Sequence, residues 1–210
     1  QFASYDIDSA TGALSQIGAV EVPDGAPYVY TDDTDQYLLA SYYGAGHVSV
    51  HAIGADGSLS AEPLQWIETA THAHSIQTDP SNRFAFVPHT NPANAIYQFR
   101  FDESTGALTA NDPATIEPAR PEGPRHFVFH PEKDVFYSVN ENGSTVSAHH
   151  FDPDKGTLSS FQVISALPDG FDPETNTCAE IKIDASGRHL YASNRGHDSL
   201  ALFDVAEDGS

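Results

Sequence analysis

Apolar and polar residues alternate along this chain in short runs that have the period of a β-strand. The runs Phe127–Phe129, Phe136–Val139 and Thr145–Phe151 show the alternation most clearly. Turn-forming residues separate the runs, as at Asp79–Asn82 and Asp152–Gly156. No stretch carries a sustained apolar stripe at helical spacing. The pattern predicts an all-β protein whose antiparallel strands are joined by tight connections.

A repeat groups these strands. Each repeat contains a Gly-x-Leu turn, and the successive glycines of this turn are 45, 49, 50 and 53 residues apart. These glycines are Gly12, Gly57, Gly106, Gly156 and Gly209. A second recurring segment precedes the turn, for example Asp32–Ser41 (DDTDQYLLAS) and Asp184–Ser193 (DASGRHLYAS). Periods of this length are typical of propeller blades, and we count four strands per period, so the predicted fold is a β-propeller of four-stranded antiparallel blades.

The repeat places all 210 residues in one propeller domain with a partial blade at each end. The predicted units are the last two strands of a blade in residues 1–22, whole blades in 25–70, 72–119 and 123–168, and a blade cut after its third strand in 177–210. Because the chain begins and ends inside a blade and contains no Met, we expect a fragment of a longer propeller. Strand edges left open in this way invite aggregation.

The chain is strongly acidic, with 30 Asp and Glu residues against 9 Lys and Arg and a formal net charge of -21. Such a surface repels nucleic acid and anionic membranes, so both are excluded as partners. The acidic turns are spread along the whole chain and are interpreted as aids to solubility or adaptation to salt. The single cysteine, Cys178, excludes an internal disulfide framework and fits a reducing compartment. We therefore expect a cytoplasmic protein that is a monomer when full length.

Some matched positions of the repeat carry unlike polar residues, a pattern that usually frames a site. The entries to the first strands align Pro27, His74, Arg125 and Ala179, and the exits from the second strands align Tyr43, Thr90, Glu141 and Arg195. These two ends lie on the same face of an antiparallel blade, and first strands line the central channel. The sequence therefore predicts that four side chains share one mouth of that channel: His74, Arg125, Glu141 and Arg195. Arg83 and Arg188 lie in the turn on the opposite face.

This set of side chains is sufficient for ester or lactone chemistry on an anionic small molecule. A guanidinium offers a fork of donors to a phosphate or carboxylate, and it can stabilise the negative charge that develops on an acyl oxygen. His74 or Glu141 can take a proton from water or return one to the leaving alkoxide, and the choice between them stays open. No activated nucleophile and no cofactor are needed.

Four motifs carry a family resemblance, and they are Thr71–Ser75 (THAHS), Gly123–Pro131 (GPRHFVFHP), Val139–Val146 (VNENGSTV) and Leu190–Ser199 (LYASNRGHDS). With them the chain resembles, over nearly its whole length, the lactonase family of seven-bladed β-propellers. That family includes propeller-type 6-phosphogluconolactonases and the fungal carboxymuconate cyclase. The resemblance implies an active site without a metal, made of a histidine, an arginine, a glutamate and a second arginine. These match the same four residues: His74, Arg125, Glu141 and Arg195.

The leading expectation is a hydrolase that opens the lactone of a phosphorylated or carboxylated sugar acid, with 6-phosphogluconolactone of the pentose phosphate pathway as first choice. One alternative is a cyclase that joins a carboxylate to a diene, and another is a non-catalytic propeller that serves as a binding scaffold. The turn His89–Asn94 is longer and less charged than its counterpart in relatives. This departure leaves the exact substrate open.

Four further residues are expected to help bind the substrate: His72, His126, Asn140 and Asn194. As a His-x-His pair on a strand, His72 and His74 would point to one face and could hold a metal, but a third ligand is missing. A hydrogen-bonded structural role is favoured for His126, His130 and His189, and His130 stands where other blades have aspartate.

Two of the four central residues have a structural alternative as well. Glu141 and Arg195 can pair across adjacent blades as a bridge, since ion-pair networks also collect near channels. Arg125 can serve mainly to bind backbone carbonyl groups.

Overall fold

The computed structural model describes residues 1–210 and confirms the all-β propeller fold. Seventeen strands form five antiparallel sheets, in which consecutive strands are hydrogen-bonded neighbours. A three-residue 3-10 turn at Pro173–Thr175 is the single helical segment. No helix is therefore long and apolar enough to cross a membrane.

We number the sheets as blades I to V in chain order. Blade I contains β1 (Phe2–Ile7) and β2 (Leu14–Val20). Blade II contains β3 (Tyr28–Thr31), β4 (Tyr37–Tyr42), β5 (His47–Ala52) and β6 (Gln65–Glu68). Blade III contains β7 (Gln77–Thr78), β8 (Phe84–His89), β9 (Ala95–Asp102) and β10 (Ala107–Ile116). Blade IV contains β11 (Pro124–Phe129), β12 (Val135–Asn140), β13 (Thr145–Asp152) and β14 (Thr157–Ser165). Blade V contains β15 (Cys178–Ile183), β16 (His189–Asn194) and β17 (Ser199–Asp204).

A side chain at the end of the first strand closes the turn to the second strand. In blade II the carboxylate of Asp32 accepts a hydrogen bond from the backbone N–H of Tyr37 at 2.8 Å. In blade IV the same position is His130, whose Nδ1 accepts from the backbone N–H groups of Glu132 and Lys133 at 3.0 and 3.1 Å. The structural role predicted for His130 is therefore confirmed, with a ring nitrogen acting in place of a carboxylate oxygen.

The core lies between the blades rather than inside any one of them. Eleven buried residues, Leu39 and Val87 among them, pack blade II on blade III, and ten pack blade IV on blade V. Between blades III and IV the core is aromatic, with the rings of Phe127 and Phe136 stacked at 4.5 Å. Burying one such side chain contributes roughly 1.5–3 kcal/mol. Each blade thus depends on its neighbours for stability.

Glutamine side chains also tie successive blades together. Oε1 of Gln65 in blade II accepts a hydrogen bond from the backbone N–H of Leu108 in blade III at 2.6 Å. Likewise, Oε1 of Gln98 in blade III accepts from the N–H of Leu158 in blade IV at 2.8 Å. Both leucines belong to the recurring Gly-x-Leu turn. This turn therefore fixes the position of a blade against the one before it.

Candidate active site

His74, Arg125, Glu141 and Arg195 come from three successive blades and lie together. His74 precedes β7 in blade III, and Arg125 is the second residue of β11 in blade IV. Glu141 directly follows β12, and Arg195 directly follows β16 in blade V. The first and second strands of a blade run in opposite directions, so the start of the first strand and the end of the second lie at the same end of the blade. All four residues therefore lie at one end of their blades.

Glu141 is the centre of this group because it pairs with both arginines. Its Oε2 lies 2.9 Å from Nε of Arg125, and its Oε1 lies 3.1 Å from Nη2 of Arg195. The bridge between adjacent blades, foreseen as an alternative for Glu141 and Arg195, is thus present. The side chain of Arg195 is nevertheless 45% exposed, against 14% for Arg125 and 18% for Glu141. Arg195 is therefore both a structural partner and a cation open to solvent.

Backbone carbonyl groups of β15 fix the two guanidinium groups from the other side. Nη1 of Arg125 donates to the carbonyl oxygen of Ala179 at 2.5 Å, and Nη2 of Arg195 donates to that of Cys178 at 3.2 Å. The expected alternative role of Arg125, binding backbone carbonyl groups, is therefore also seen. Fixed donors of this kind favour an anion or a developing oxyanion without a cost of reorganisation.

His74 is held as a neutral imidazole beside these cations. Burial lowers its pKa to about 3, and the positive charges of Arg125 and Arg195 act in the same direction. Nδ1 of His74 lies 3.2 Å from Nε2 of His126, and the two rings meet edge to face at 5.0 Å. Tyr43 closes the opposite side, with its ring 5.6 Å from that of His74. The ring of His74 is thus oriented by contacts on two sides.

The structure corrects the expectation for His72. His72 and His74 do not lie on a strand, because β7 begins at Gln77 and His72 lies in a turn with a φ of 67°. The ring of His72 instead stacks on Tyr43 at 4.2 Å, and its Nδ1 contacts the carbonyl oxygen of Asn91. No three His, Cys, Asp or Glu side chains are grouped so that they could share a metal ion.

Asn140 and Asn194 both use their amides inside their blades. Asn140 is fully buried and donates to the hydroxyl groups of Thr145 and Ser147 at 2.8 and 2.7 Å. Asn194 is 6% exposed and donates to the carbonyl oxygen of Ala166 at 2.9 Å. These bonds hold the strand ends, and the expected role of both residues in substrate binding stays a prediction.

Three residues near His74 were not among the sequence-based candidates: Tyr28, Tyr43 and Glu180. The ring of Tyr28 meets His126 edge to face at 5.2 Å, and the carboxylate of Glu180 lies 2.9 Å from Nδ1 of His126. Burial raises the pKa of Tyr28 to about 12, with the charge of Glu180 acting in the same direction. Tyr43 stands in the alignment of second-strand exits that found Glu141 and Arg195, whereas Tyr28 and Glu180 lie one position further along each first strand than the alignment that found His74 and Arg125. That position holds Tyr28, Ser75, His126 and Glu180.

The uncharged turn His89–Asn94 packs against the loop that leads into β11, the strand of Arg125. Oδ1 of Asn94 accepts a hydrogen bond from the backbone N–H of Gly123 at 2.8 Å, and Nδ2 of Asn91 donates to the carbonyl oxygen of Pro121 at 3.1 Å. His89 itself is fully buried. The amides of this turn thus support the loop that precedes Arg125.

Comparison with known proteins identifies the family of the chain. A family model described as Lactonase, 7-bladed beta-propeller, matches residues 1–210. The chain is 35% identical over 208 residues to a 6-phosphogluconolactonase of Pectobacterium carotovorum, covering 99% of this chain and 61% of the relative. It is 32% identical over 212 residues to a 6-phosphogluconolactonase of Bacillus subtilis, covering 97% of this chain and 59% of the relative. The chain thus spans about three fifths of the length of these relatives.

Among solved structures, a periplasmic gluconolactonase of Pseudomonas aeruginosa superimposes with a TM-score of 0.87 at 26% identity. The match covers 99% of this chain and 61% of that structure.

Proposed function

Because the chain belongs to the lactonase family of seven-bladed β-propellers, we propose that the protein hydrolyses an anionic sugar lactone, with 6-phosphogluconolactone as its substrate. The observation that carries the proposal is a half-exposed guanidinium, fixed by two partners, in the same group of side chains as a neutral imidazole. Arg195 is anchored by Glu141 and a backbone carbonyl group, and His74 lies beside the same pair of arginines. A chain with a net charge of -21 needs such a local cation to attract an anion.

Each of the four side chains has a separate role in this proposal. Arg195 binds the anionic group or the developing oxyanion, and Arg125 supports it from a more buried position. Both carboxylate oxygens of Glu141 already face guanidinium groups, so Glu141 orients the two arginines. We therefore assign proton transfer to His74, one of the two residues between which the sequence left the choice open.

The reaction then follows from these positions. Water attacks the carbonyl carbon of the lactone and gives a proton to a ring nitrogen of His74, while the guanidinium groups stabilise the oxyanion. When the tetrahedral intermediate collapses, the ring C–O bond breaks and His74 returns the proton to the leaving alkoxide. A bound anion offsets the charges of Arg125 and Arg195, so it raises the pKa of His74 from about 3 towards the working pH.

A second substrate class, an unphosphorylated sugar lactone, is favoured by one observation. The turn His89–Asn94 carries no charge and uses its amides on the neighbouring loop rather than on a ligand. The similar Pseudomonas structure bears the name gluconolactonase. With an unphosphorylated lactone, Arg195 would stabilise the developing oxyanion and would bind no anionic group of the substrate.

A panel of substrates tests the proposal on the intact protein. Freshly generated 6-phosphogluconolactone should be hydrolysed well above its spontaneous rate, and with a higher kcat/KM than gluconolactone. A preference for gluconolactone would support the second class, and turnover of carboxymuconate would indicate the cyclase. No excess over spontaneous hydrolysis with any lactone would contradict the proposal and leave the scaffold role.

We also propose a cytoplasmic monomer. The one thiol, Cys178, is free and buried, and burial raises its pKa to about 12, which suits a cysteine with no redox role. Cell fractionation and light scattering of the intact protein test this, and a periplasmic pool or a stable dimer would contradict it.

A further inference from the structure

Three side chains form a continuous line behind the reacting face of His74. Nδ1 of His74 lies 3.2 Å from Nε2 of His126, and Nδ1 of His126 lies 2.9 Å from Oε2 of Glu180. The line joins blades III, IV and V, since the three residues sit at the starts of successive first strands. None of them is needed for the ion pairs of Glu141.

Glu180 is fixed at the far end of this line. Its Oε1 accepts hydrogen bonds from the backbone N–H of Ile181 at 3.1 Å and from Nζ of Lys182 at 3.2 Å. Its own backbone N–H donates to Oγ of Ser193 at 2.9 Å. Burial opposes ionisation of Glu180, but the interactions with His126, the backbone N–H of Ile181 and Lys182 together outweigh it and lower the pKa to about 2. The carboxylate is therefore an acceptor only.

The direction of each hydrogen bond follows from this acceptor. Since Glu180 accepts, Nδ1 of His126 carries a proton. A neutral imidazole that is protonated at Nδ1 presents its lone pair at Nε2, and Nη1 of Arg125 lies 3.5 Å from this nitrogen of His126. Nδ1 of His74 must then donate to Nε2 of His126. Nε2 of His74 is left with its lone pair free.

We propose that Glu180 is a positioning residue that acts through His126 to hold His74 in the tautomer whose Nε2 accepts a proton from water. The inference rests on the proposed lactone hydrolysis for its catalytic meaning. Without the carboxylate, Nε2 of His126 can carry the proton instead, and His74 then accepts at Nδ1 and has no lone pair at Nε2. The ring of Tyr28 meets that of His126 edge to face, with 5.2 Å between the ring centroids. This contact restricts rotation of the His126 ring into another orientation.

The test compares the Glu180→Gln variant with the wild type in the intact protein. We expect kcat for lactone hydrolysis to fall about 100-fold, the scale of general-base catalysis, while KM changes less than two-fold because neither arginine is touched. Glu180→Asp keeps the charge and should recover part of kcat. The control is Glu132→Gln, the same change on an exposed side chain in the turn between β11 and β12, which should leave kcat unchanged.

Nitrogen-15 NMR of the histidine rings gives a readout that does not depend on activity. In the wild type, His126 and His74 should each be protonated at Nδ1, and Glu180→Gln should shift both towards the Nε2–H form. Protonation of His74 at Nε2 in the wild type would overturn the inference, and so would an unchanged kcat in Glu180→Gln. If the tautomers are as expected but no lactone is hydrolysed, the proposed function fails while the positioning of His74 by Glu180 stands.

Discussion

The carboxylate of Glu141 lies 3.1 Å from the guanidinium of Arg195 in the next blade, and its other oxygen faces Arg125. One acidic side chain thus holds two cations close together that would otherwise repel each other. This arrangement differs from a bridge between one acid and one base. The spacing of the two guanidinium groups therefore depends on Glu141.

Replacing Glu141 by Gln should therefore destabilise the protein as well as inactivate it. The change leaves Arg125, which is only 14% exposed, without its carboxylate partner. Breaking a buried pair in this way costs on the order of 3 kcal/mol. Urea unfolding measures the loss, with the exposed Glu132→Gln on the same blade as a control. Equal stability of the two variants would show that the carbonyl contacts alone hold the arginines.

The arginines on the two faces of the propeller should differ in their effect on activity. Arg195→Ala removes a fixed donor for the anion or oxyanion, so kcat/KM should fall about 100-fold or more. Arg195→Lys keeps the charge but loses the fork of donors, and it should be intermediate. Arg188→Ala is the matched control, because Arg188 donates to Ser186 in the turn at the opposite blade end. Similar losses in both alanine variants would argue against a site at Arg195.

Ligand binding should change the proton affinity of His74. In the free protein its pKa is lowered to about 3, with burial as the main cause and the arginine charges as the next. Binding of 6-phosphogluconate brings negative charge to these arginines, so the pKa should rise. An NMR titration of the ring measures the shift, with uncharged glucose as the control. The same pKa with and without 6-phosphogluconate would place the anion elsewhere.

A second buried histidine, His149, should make the protein sensitive to acid. Burial lowers its pKa to about 4, against an ordinary value of 6.5. Below pH 6.5 the unfolded chain therefore binds a proton that the folded protein does not, so stability falls as the pH drops from 6.5 to 4. The loss amounts to roughly 3 kcal/mol at most.

His149→Gln should flatten this part of the plot of unfolding free energy against pH, whatever its effect on absolute stability. The neighbouring His150, whose side chain is exposed on the other face of β13, provides the control variant His150→Gln. A slope that persists in His149→Gln would assign the acid sensitivity to other groups.

Replacing different glycines of the recurring turn by alanine should lower the stability of the protein to different extents. Gly12 and Gly156 both have positive φ, 74° and 67°, which costs a non-glycine residue about 1 kcal/mol. A Cβ at Gly12 meets open space, whereas one at Gly156 would overlap the ring of Phe84 in the preceding blade. Gly156→Ala should therefore lower the melting temperature clearly more than Gly12→Ala. Equal effects would mean that the blades can move apart at little cost.

Much of the fold could be predicted from the sequence because the information is local. The two-residue period gives the strands, and the Gly-x-Leu turn gives the register between repeats, so His74 and Arg195 could be placed at one end of the blades.

Other features of the site depend on contacts that no local pattern encodes. The turn conformation of His72 is set by Tyr43 and Asn91, which belong to other segments of the chain. The hydrogen bond between His126 and Glu180 joins residues 54 positions apart. Such contacts depend on how the blades pack, and only the folded structure supplies this.

The amides of Gln65 and Gln98 give the outer rim of the propeller an influence on its centre. His74, Arg125 and Arg195 belong to three blades, so their separations vary with the angle between blades. The bond between Gln98 and Leu158 joins blades III and IV, which carry His74 and Arg125, and the bond between Gln65 and Leu108 ties blade III to the blade before it. Because a misplacement of about 1 Å can cost about 100-fold in rate, the relative placement of His74 and Arg125 depends partly on a hydrogen bond that lies outside the candidate site.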